Sequence, residues 1–243
     1  LKKVFAYVGS RNPNSRTLYN TKKIINSLDK KYPKRFKFEI VTPNELYVSP
    51  ATGCKNCFNH GFCPIEEKNI DQSSELKEKL LDSDFIILAS PVYSHNVSAD
   101  MKAVIDRLSY WGHLFRLAGK SGIVLATADN NGVNFVSDYL EKVAMVMGLN
   151  VIDKLSITAN SPLSQDYLEE LIQDIYEYAY NIQKIEVDER AEMSFQTYKK
   201  IYQSLPLTLA EPKYWKENGM FEHNSLQDYV NEILKARQSV SNK

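Results

Sequence analysis

Two stretches of this chain concentrate polar groups where a strand hands over to a helix. In "GSRNPNSRT", Gly9 to Thr17, Ser10, Ser15 and Thr17 supply hydroxyls, Asn12 and Asn14 supply amides, and Arg16 adds charge. Unpaired N–H groups and the helix dipole make such a junction a place for an anion, and Gly9 is expected to permit the sharp exit. A plain turn with a helix cap would explain the loop in isolation; its position after the first strand favours a phosphate. There is neither a P-loop ending nor a G-x-G-x-x-G, which argues against ATP and against a Rossmann-bound dinucleotide. The second stretch is "ASPVYSHNVSADMKAVIDRL", Ala89 to Leu108. Pro91 is expected to stop the sheet, Tyr93 offers an aromatic face, and Ser94, His95 and Asn96 are polar. A flat heteroaromatic ring could lie against it.

A third cluster is Cys54-x2-Cys57-x5-Cys63 with His60 between. Thiolates this dense could hold zinc or an iron–sulfur cluster, with His60 as a fourth ligand. The chain has no other cysteine, so a four-thiolate site cannot form within one subunit. The expectation is a structural or interface loop without metal. Three cysteines within ten positions also argue against a secreted disulfide framework and for a reducing compartment.

The elements that must position these groups follow from hydrophobic periodicity. Continuous apolar runs at 4–8, 85–89 and 122–126 read as strands covered on both faces. In 36–40, Phe36, Phe38 and Ile40 alternate with Lys37 and Glu39, and 151–158 is similarly mixed, so these two read as edges. Helical patterns intervene: Ile25, Leu28 and Tyr32; Met101, Val104, Ile105 and Leu108 behind Ser98 as N-cap; Val133, Val136, Leu140, Val143 and Met147. After the last strand, Ser161-Pro162 reads as cap and first residue of a helix carrying Leu168, Leu171, Ile172, Ile175, Ala179 and Ile182. Strict alternation implies a doubly wound, five-stranded parallel α/β sheet of order 2-1-3-4-5, the flavodoxin-like winding, with its ligand beyond the carboxyl ends of strands one and three. Residues 1–188 form that domain and 189–243 a C-terminal helical extension.

The chain has 243 residues, and 30 Lys and Arg balance 30 Asp and Glu. No net field draws it to nucleic acid, and no apolar run is long enough to cross a membrane. The reading is a cytoplasmic protein without nucleic-acid or membrane partners.

After strand three the sequence resembles the NADPH-dependent FMN reductase-like flavoproteins, which include the iron–sulfur flavoproteins. Their pattern, approximately S-P-V-Y-x-x-x-x-S-x-x-M-K-x-x-x-D-R, is matched by Ser90, Pro91, Val92, Tyr93, Ser98, Met101, Lys102, Asp106 and Arg107. The first loop is similar to the family's FMN phosphate loop, and the ending "EPKYWKENGMFE" to tails of some members. The resemblance implies FMN, with its phosphate on Ser10, Asn12, Asn14, Ser15, Arg16 and Thr17. It sets the ring along Pro91, Val92, Tyr93, Ser94 and Asn96, closed over by Thr127, Ala128, Asn130 and Gly132. Members with a cluster use four close cysteines; this chain keeps C-F-x-x-G-x-C-P without the fourth.

The activity this implies is an FMN-dependent oxidoreductase. It would pass hydride from NAD(P)H through the flavin to a small acceptor: a quinone, free flavin, or a nitro or azo aromatic. No side chain need be catalytic. An iron–sulfur-type electron carrier without turnover is the alternative, and a flavin-binding regulatory protein a third. Lys102 and Asp106, four apart, read as a supporting pair rather than site residues. The aromatic tail is expected to pack on its own domain or across a homodimer or homotetramer.

Overall fold

The computed structural model describes residues 1–68, 70–181 and 184–241. Its elements run β1 (Lys2–Val8), α1 (Arg16–Lys31), β2 (Phe36–Val41), α2 (Asn56–Asn59), α3 (Pro64–Glu67), α4 (Ser73–Asp82), β3 (Phe85–Tyr93) and β4 (Asn96–Val97). There follow α5 (Ala99–Arg107), α6 (Trp111–Leu114), β5 (Ser121–Thr127), α7 (Val133–Val146), β6 (Asn150–Ile157), α8 (Gln165–Ala179), α9 (Glu189–Gln203), α10 (Ala210–Glu217) and α11 (Leu226–Ser241).

The sheet order is β2-β1-β3-β5-β6, all parallel, with the two-residue β4 pairing only with β3. Setting β4 aside, this is the expected flavodoxin-like order. Both expected edge strands, β2 and β6, lie at the edges.

The period-2 pattern splits the core in two. Phe5, Tyr7, Ile86, Leu88, Val124 and Ala126 face α4, α5 and α7 through Leu76, Leu80, Met101, Val104, Val136 and Leu140. Their neighbours Val4, Ala6, Val8, Ile87, Ala89, Ile123 and Leu125 face α1 and α8 through Ile24, Leu28, Leu168, Ile172 and Ile175. Every central strand is therefore apolar on both sides, which is why those runs are unbroken.

Two boundaries differ from expectation. Strand β3 does not stop at Pro91: that residue pairs in register with Thr127, and the strand continues to Tyr93. Proline lacks only the N–H, and here the strand passes straight into a hairpin with β4. The helix after β6 opens at Ser164, whose side chain accepts from Tyr167 N, not at Ser161. Ser161 instead closes a turn with Thr158, its N–H donating to Thr158 Oγ1 at 3.0 Å. Ile182 lies outside the described residues.

A third apolar cluster joins α9, α10 and α11 to α6: Phe195, Trp215, Met220 and Leu226 bury against Leu114, Phe115 and Ala118. Trp215 Nε1 donates to His113 O at 2.9 Å, and Glu211 accepts from Tyr202 and bonds His113. The aromatic tail thus packs on its own chain. Among the described residues, no helix is long and apolar enough to cross a membrane.

Candidate functional site

Register brings three loops to one edge. Val8 lies beside Ala89, Pro91 beside Thr127, and Gly9 N donates to Ala89 O at 2.8 Å, so β1, β3 and β5 release their chains side by side.

Loop 10–15 is organised from within. Ser10 is buried and its Oγ accepts from Asn12 N at 3.3 Å. Asn12 Oδ1 accepts from Asn14 N at 2.9 Å, and Ser15 caps α1 by accepting from Leu18 N at 3.2 Å. The N–H groups of Arg16 and Thr17 open the helix and have no carbonyl one turn earlier to bond. Gly9 is needed for close approach rather than for a special turn: a Cβ there would stand 2.8 Å from Met101 Cβ and Ser98 Oγ at the start of α5.

The second loop is a two-residue hairpin in which Tyr93 pairs with Asn96. Ser94 and His95 turn it with φ of 49° and 59°, the left-handed geometry that matches strand twist in such a turn. Ser90 fixes its base, accepting from Ser98 N at 3.0 Å, while Ser98 caps α5 through Met101 N. Tyr93 remains 56% exposed, which presents part of a large aromatic face. Asn96 is exposed, although its Oδ1 already accepts from Val97 N.

The third loop is held by ties. Thr17 and Thr127, both buried, share a hydrogen bond of 2.6 Å between hydroxyls. Arg16 pairs with Asp129 at 3.0 Å, and Asp129 O accepts from Ala159 N. Gly132 opens α7 at φ 84°, where a Cβ would lie 2.6 Å from His95 Cδ2 and 2.9 Å from Val92 Cγ1. This glycine lets the second and third loops touch. His95 Nε2 also meets Asn131 Oδ1 at 3.3 Å.

The residues named in the sequence for a flavin gather on this edge, and they divide into two sets. Ser10, Thr17, Pro91 and Thr127 are buried and form the floor, with Val92, Ala128, Ser15 and Gly132 half-buried above it. Asn12, Asn14, Arg16, Tyr93, Ser94, Asn96 and Asn130 are exposed.

Three residues of this edge went unnoticed in the sequence: Arg11, Asp100 and Asn44. Arg11 makes a bidentate pair with Asp100 at 2.9 and 2.8 Å, tying the first loop to α5; donating to this carboxylate raises the Arg11 pKa. Asn44 donates to Arg11 O at 2.8 Å from the loop after β2. Beneath the loop, burial and then the Asp100 charge push the Tyr7 phenol well above its ordinary value.

The cysteine loop lies elsewhere, on α4 and the far end of α5. Arg107 is buried and donates to Asp71 at 2.6 Å, Ser73 Oγ at 2.7 Å, Glu66 at 3.2 Å and Cys63 Sγ at 3.2 Å. Burial opposes the Asp71 charge, but hydrogen bonds from Ser49 and Ser73 outweigh it and hold this carboxyl below the usual range. Lys102 and Asp106 pair with each other, as their spacing predicts. Among the described residues, no three His, Cys, Asp or Glu side chains are grouped to hold a metal ion.

The chain is 36% identical over 115 residues to an iron-sulfur flavoprotein of Archaeoglobus fulgidus, a match that spans 47% of this chain and only half of that protein's length. It is 26% identical over 133 residues to FMN-dependent NADH:quinone oxidoreductase 2 of Pseudomonas putida, covering 46% of this chain and 67% of that protein. Among solved structures, an NADH:FMN oxidoreductase in its apo form superposes with a TM-score of 0.54 at 19% identity, covering 79% of this chain and 94% of that one, a likeness of fold. Residues 2–162 match the family model for NADPH-dependent FMN reductase, and the chain belongs to that family.

Proposed function

We propose that this protein is an FMN-dependent oxidoreductase that takes hydride from NAD(P)H and delivers electrons to a small acceptor such as a quinone or free flavin. The observation that carries the reading is the cradle at the carboxyl ends of β1, β3 and β5, whose three loops are tied to one another by side-chain contacts.

The residues fit the cofactor. At the first loop, Ser10, Ser15 and Thr17 hydroxyls, the Asn12 and Asn14 amides and the opening N–H groups of α1 form a donor set suited to a phosphate monoester. The exposed face of Tyr93 and the flat backbone of Pro91 and Val92 suit a planar ring, with Ser94 and Asn96 at the turn and Thr127, Ala128, Asn130 and Gly132 opposite. When bound, FMN supplies the hydride chemistry. The chain's part is to bind, orient and exclude water: the two-threonine tie holds the loops at a fixed spacing, and the His95–Asn131 contact covers the side next to Gly132. No side chain is assigned a proton-transfer role.

An iron–sulfur electron carrier fits less well. Three thiols leave a four-thiolate cluster one ligand short within a chain, and His60 is exposed and stacked on Phe62. The same cradle in a neutral chain also separates it from strongly acidic carriers.

The test is reconstitution followed by turnover. Purified protein loaded with FMN should retain one flavin through desalting and oxidise NADH or NADPH when a quinone is added. Retained flavin with no turnover would refute the enzyme reading, and failure to retain flavin would refute the cradle itself.

A further inference from the structure

Between the cysteine loop and the C-terminal extension lies a cavity of about 330 Å3 that none of the cradle residues line. Local backbone sets the group at its centre. The single turn α6 ends at Phe115, whose φ of 46° is left-handed, and Arg116 N bonds back to Trp111 O. The Arg116 guanidinium then lies over two rings, 5.7 Å from the centroid of Trp111 and 5.2 Å from that of Tyr214 on α10. Gly61 brings the cysteine loop against the same helix: its φ is 77°, and a Cβ there would stand 3.3 Å from Ala210 Cβ.

The charged groups lining this cavity are unequally engaged. Glu211 accepts from Tyr202 at 2.9 Å and meets His113 at 2.7 Å, while Glu217 faces Lys213 at 3.8 Å in a loose, exposed pair. His60 is stacked on Phe62. Arg116 is half-buried, and among the described residues it makes neither a salt bridge nor a side-chain hydrogen bond. Stacking engages only the faces of a guanidinium, so its in-plane N–H groups stay open, the fork that a carboxylate meets at two points. Tyr110, Leu114 and Tyr214 offer apolar walls to a hydrocarbon body beside it. The two glutamates disfavour an ion that carries two negative charges.

We propose that this cavity binds a small aromatic monocarboxylate, whose carboxylate accepts two N–H bonds from Arg116 while its ring lies among the apolar walls. The guanidinium is fixed by its rings before the anion enters, so little side-chain freedom is lost on binding. The site rests on Arg116 and its surroundings alone. It is independent of the oxidoreductase reading, and failure of either leaves the other standing.

The experiment is calorimetric titration of the full chain with benzoate as the probe. One benzoate per chain should bind with a Kd of about 1 mM or below. Neither FMN nor about a tenfold excess of inorganic phosphate should displace it, and the neutral analogue benzyl alcohol should bind about tenfold or more weakly. Arg116→Met should lower benzoate affinity by about tenfold or more, and Arg116→Lys, which keeps the charge without the fork, should fall between the two. Thermal melting of each variant shows whether it is folded; should Arg116→Met fail to fold, Arg116→Lys carries the comparison. Absence of saturable benzoate binding, affinity unchanged by loss of the guanidinium, or benzyl alcohol binding as tightly as benzoate would overturn the proposal. Displacement of benzoate by phosphate would overturn it too, as would displacement by FMN, which would place the probe in the cradle.

Discussion

Lys120, at the start of β5, is 6% exposed, and its ammonium donates to Leu81 O at 2.7 Å and Ser83 O at 2.6 Å, capping the end of α4. Burial, reinforced by Arg237, lowers its pKa from 10.5 to about 8. Between those two values the unfolded chain holds a proton that the folded chain has released, so stability rises with pH across this window and is lost as pH falls through about 8. A shift of this size corresponds to about 3 kcal/mol between the two limits. The neutral amine still donates to the same carbonyls, so the capping bonds survive. The assay is urea unfolding of the wild type and Lys120→Met from neutrality up to 10.5. Contributions shared by both proteins, including tyrosines such as Tyr229 that burial pushes up to about 12, cancel in the difference. Wild-type stability should gain on the variant as pH rises, with most of the change above 8. A difference that stays flat, or that falls with pH, would refute a buried, deprotonating lysine.

Replacing Thr17 or Thr127 alone by valine leaves one buried hydroxyl without its partner and should cost about 1–3 kcal/mol; replacing both should cost less than the two losses added, a coupling read from a double-mutant cycle of unfolding energies. Arg107→Met removes the pair to Asp71, which keeps four donors from Ser49 and Ser73, so the loss should sit near the lower end for a buried pair, about 3 kcal/mol, measured by denaturation. The same variant should speed amide exchange in residues 52–63 while sparing loop 10–15.

The sheet order was legible because burial on two faces leaves runs such as Phe85–Ala89 unbroken, while one exposed face leaves Phe36, Phe38 and Ile40 alternating with charges. The meeting of the three loops at one sheet edge followed from that order alone. Its internal wiring did not, since Arg11 and Asp100 stand 89 positions apart and Thr17 and Thr127 stand 110 apart, separations at which no local pattern links two residues. The misplaced start of α8 has a local cause: Ser161-Pro162 and Ser164 are both acceptable caps, and the Thr158 turn decides between them. At Pro91 the missing N–H was read as a strand stop, but the register gives this residue a rung beside Thr127 and the hairpin takes over beyond it. The His113–Glu211–Tyr202 cluster was invisible for the same reason of distance, so the tail's apolar content pointed to packing without naming its partner.

The wiring also bears on how a phosphate would be held. Both arginines of the first loop already have carboxylate partners, Arg11 in a two-point pair with Asp100 and Arg16 with Asp129. Neither guanidinium is therefore a bare cation for an arriving anion, and the loop's nearby charge is close to neutral. What is left to grip a phosphate is a set of neutral donors, the hydroxyls and amides of the loop and the opening N–H groups of α1, whose hydrogen bonds are short-ranged and little affected by mobile ions. Contacts between exposed charges are screened within about 10 Å at 0.1 M salt, whereas such donors are not. On the proposed reading, FMN affinity measured by fluorescence quenching should change little with added salt. Arg16→Gln should weaken it less than Thr17→Val, which disturbs the floor of the cradle. Strong salt dependence abolished by Arg16→Gln would show instead that this arginine leaves Asp129 for the phosphate.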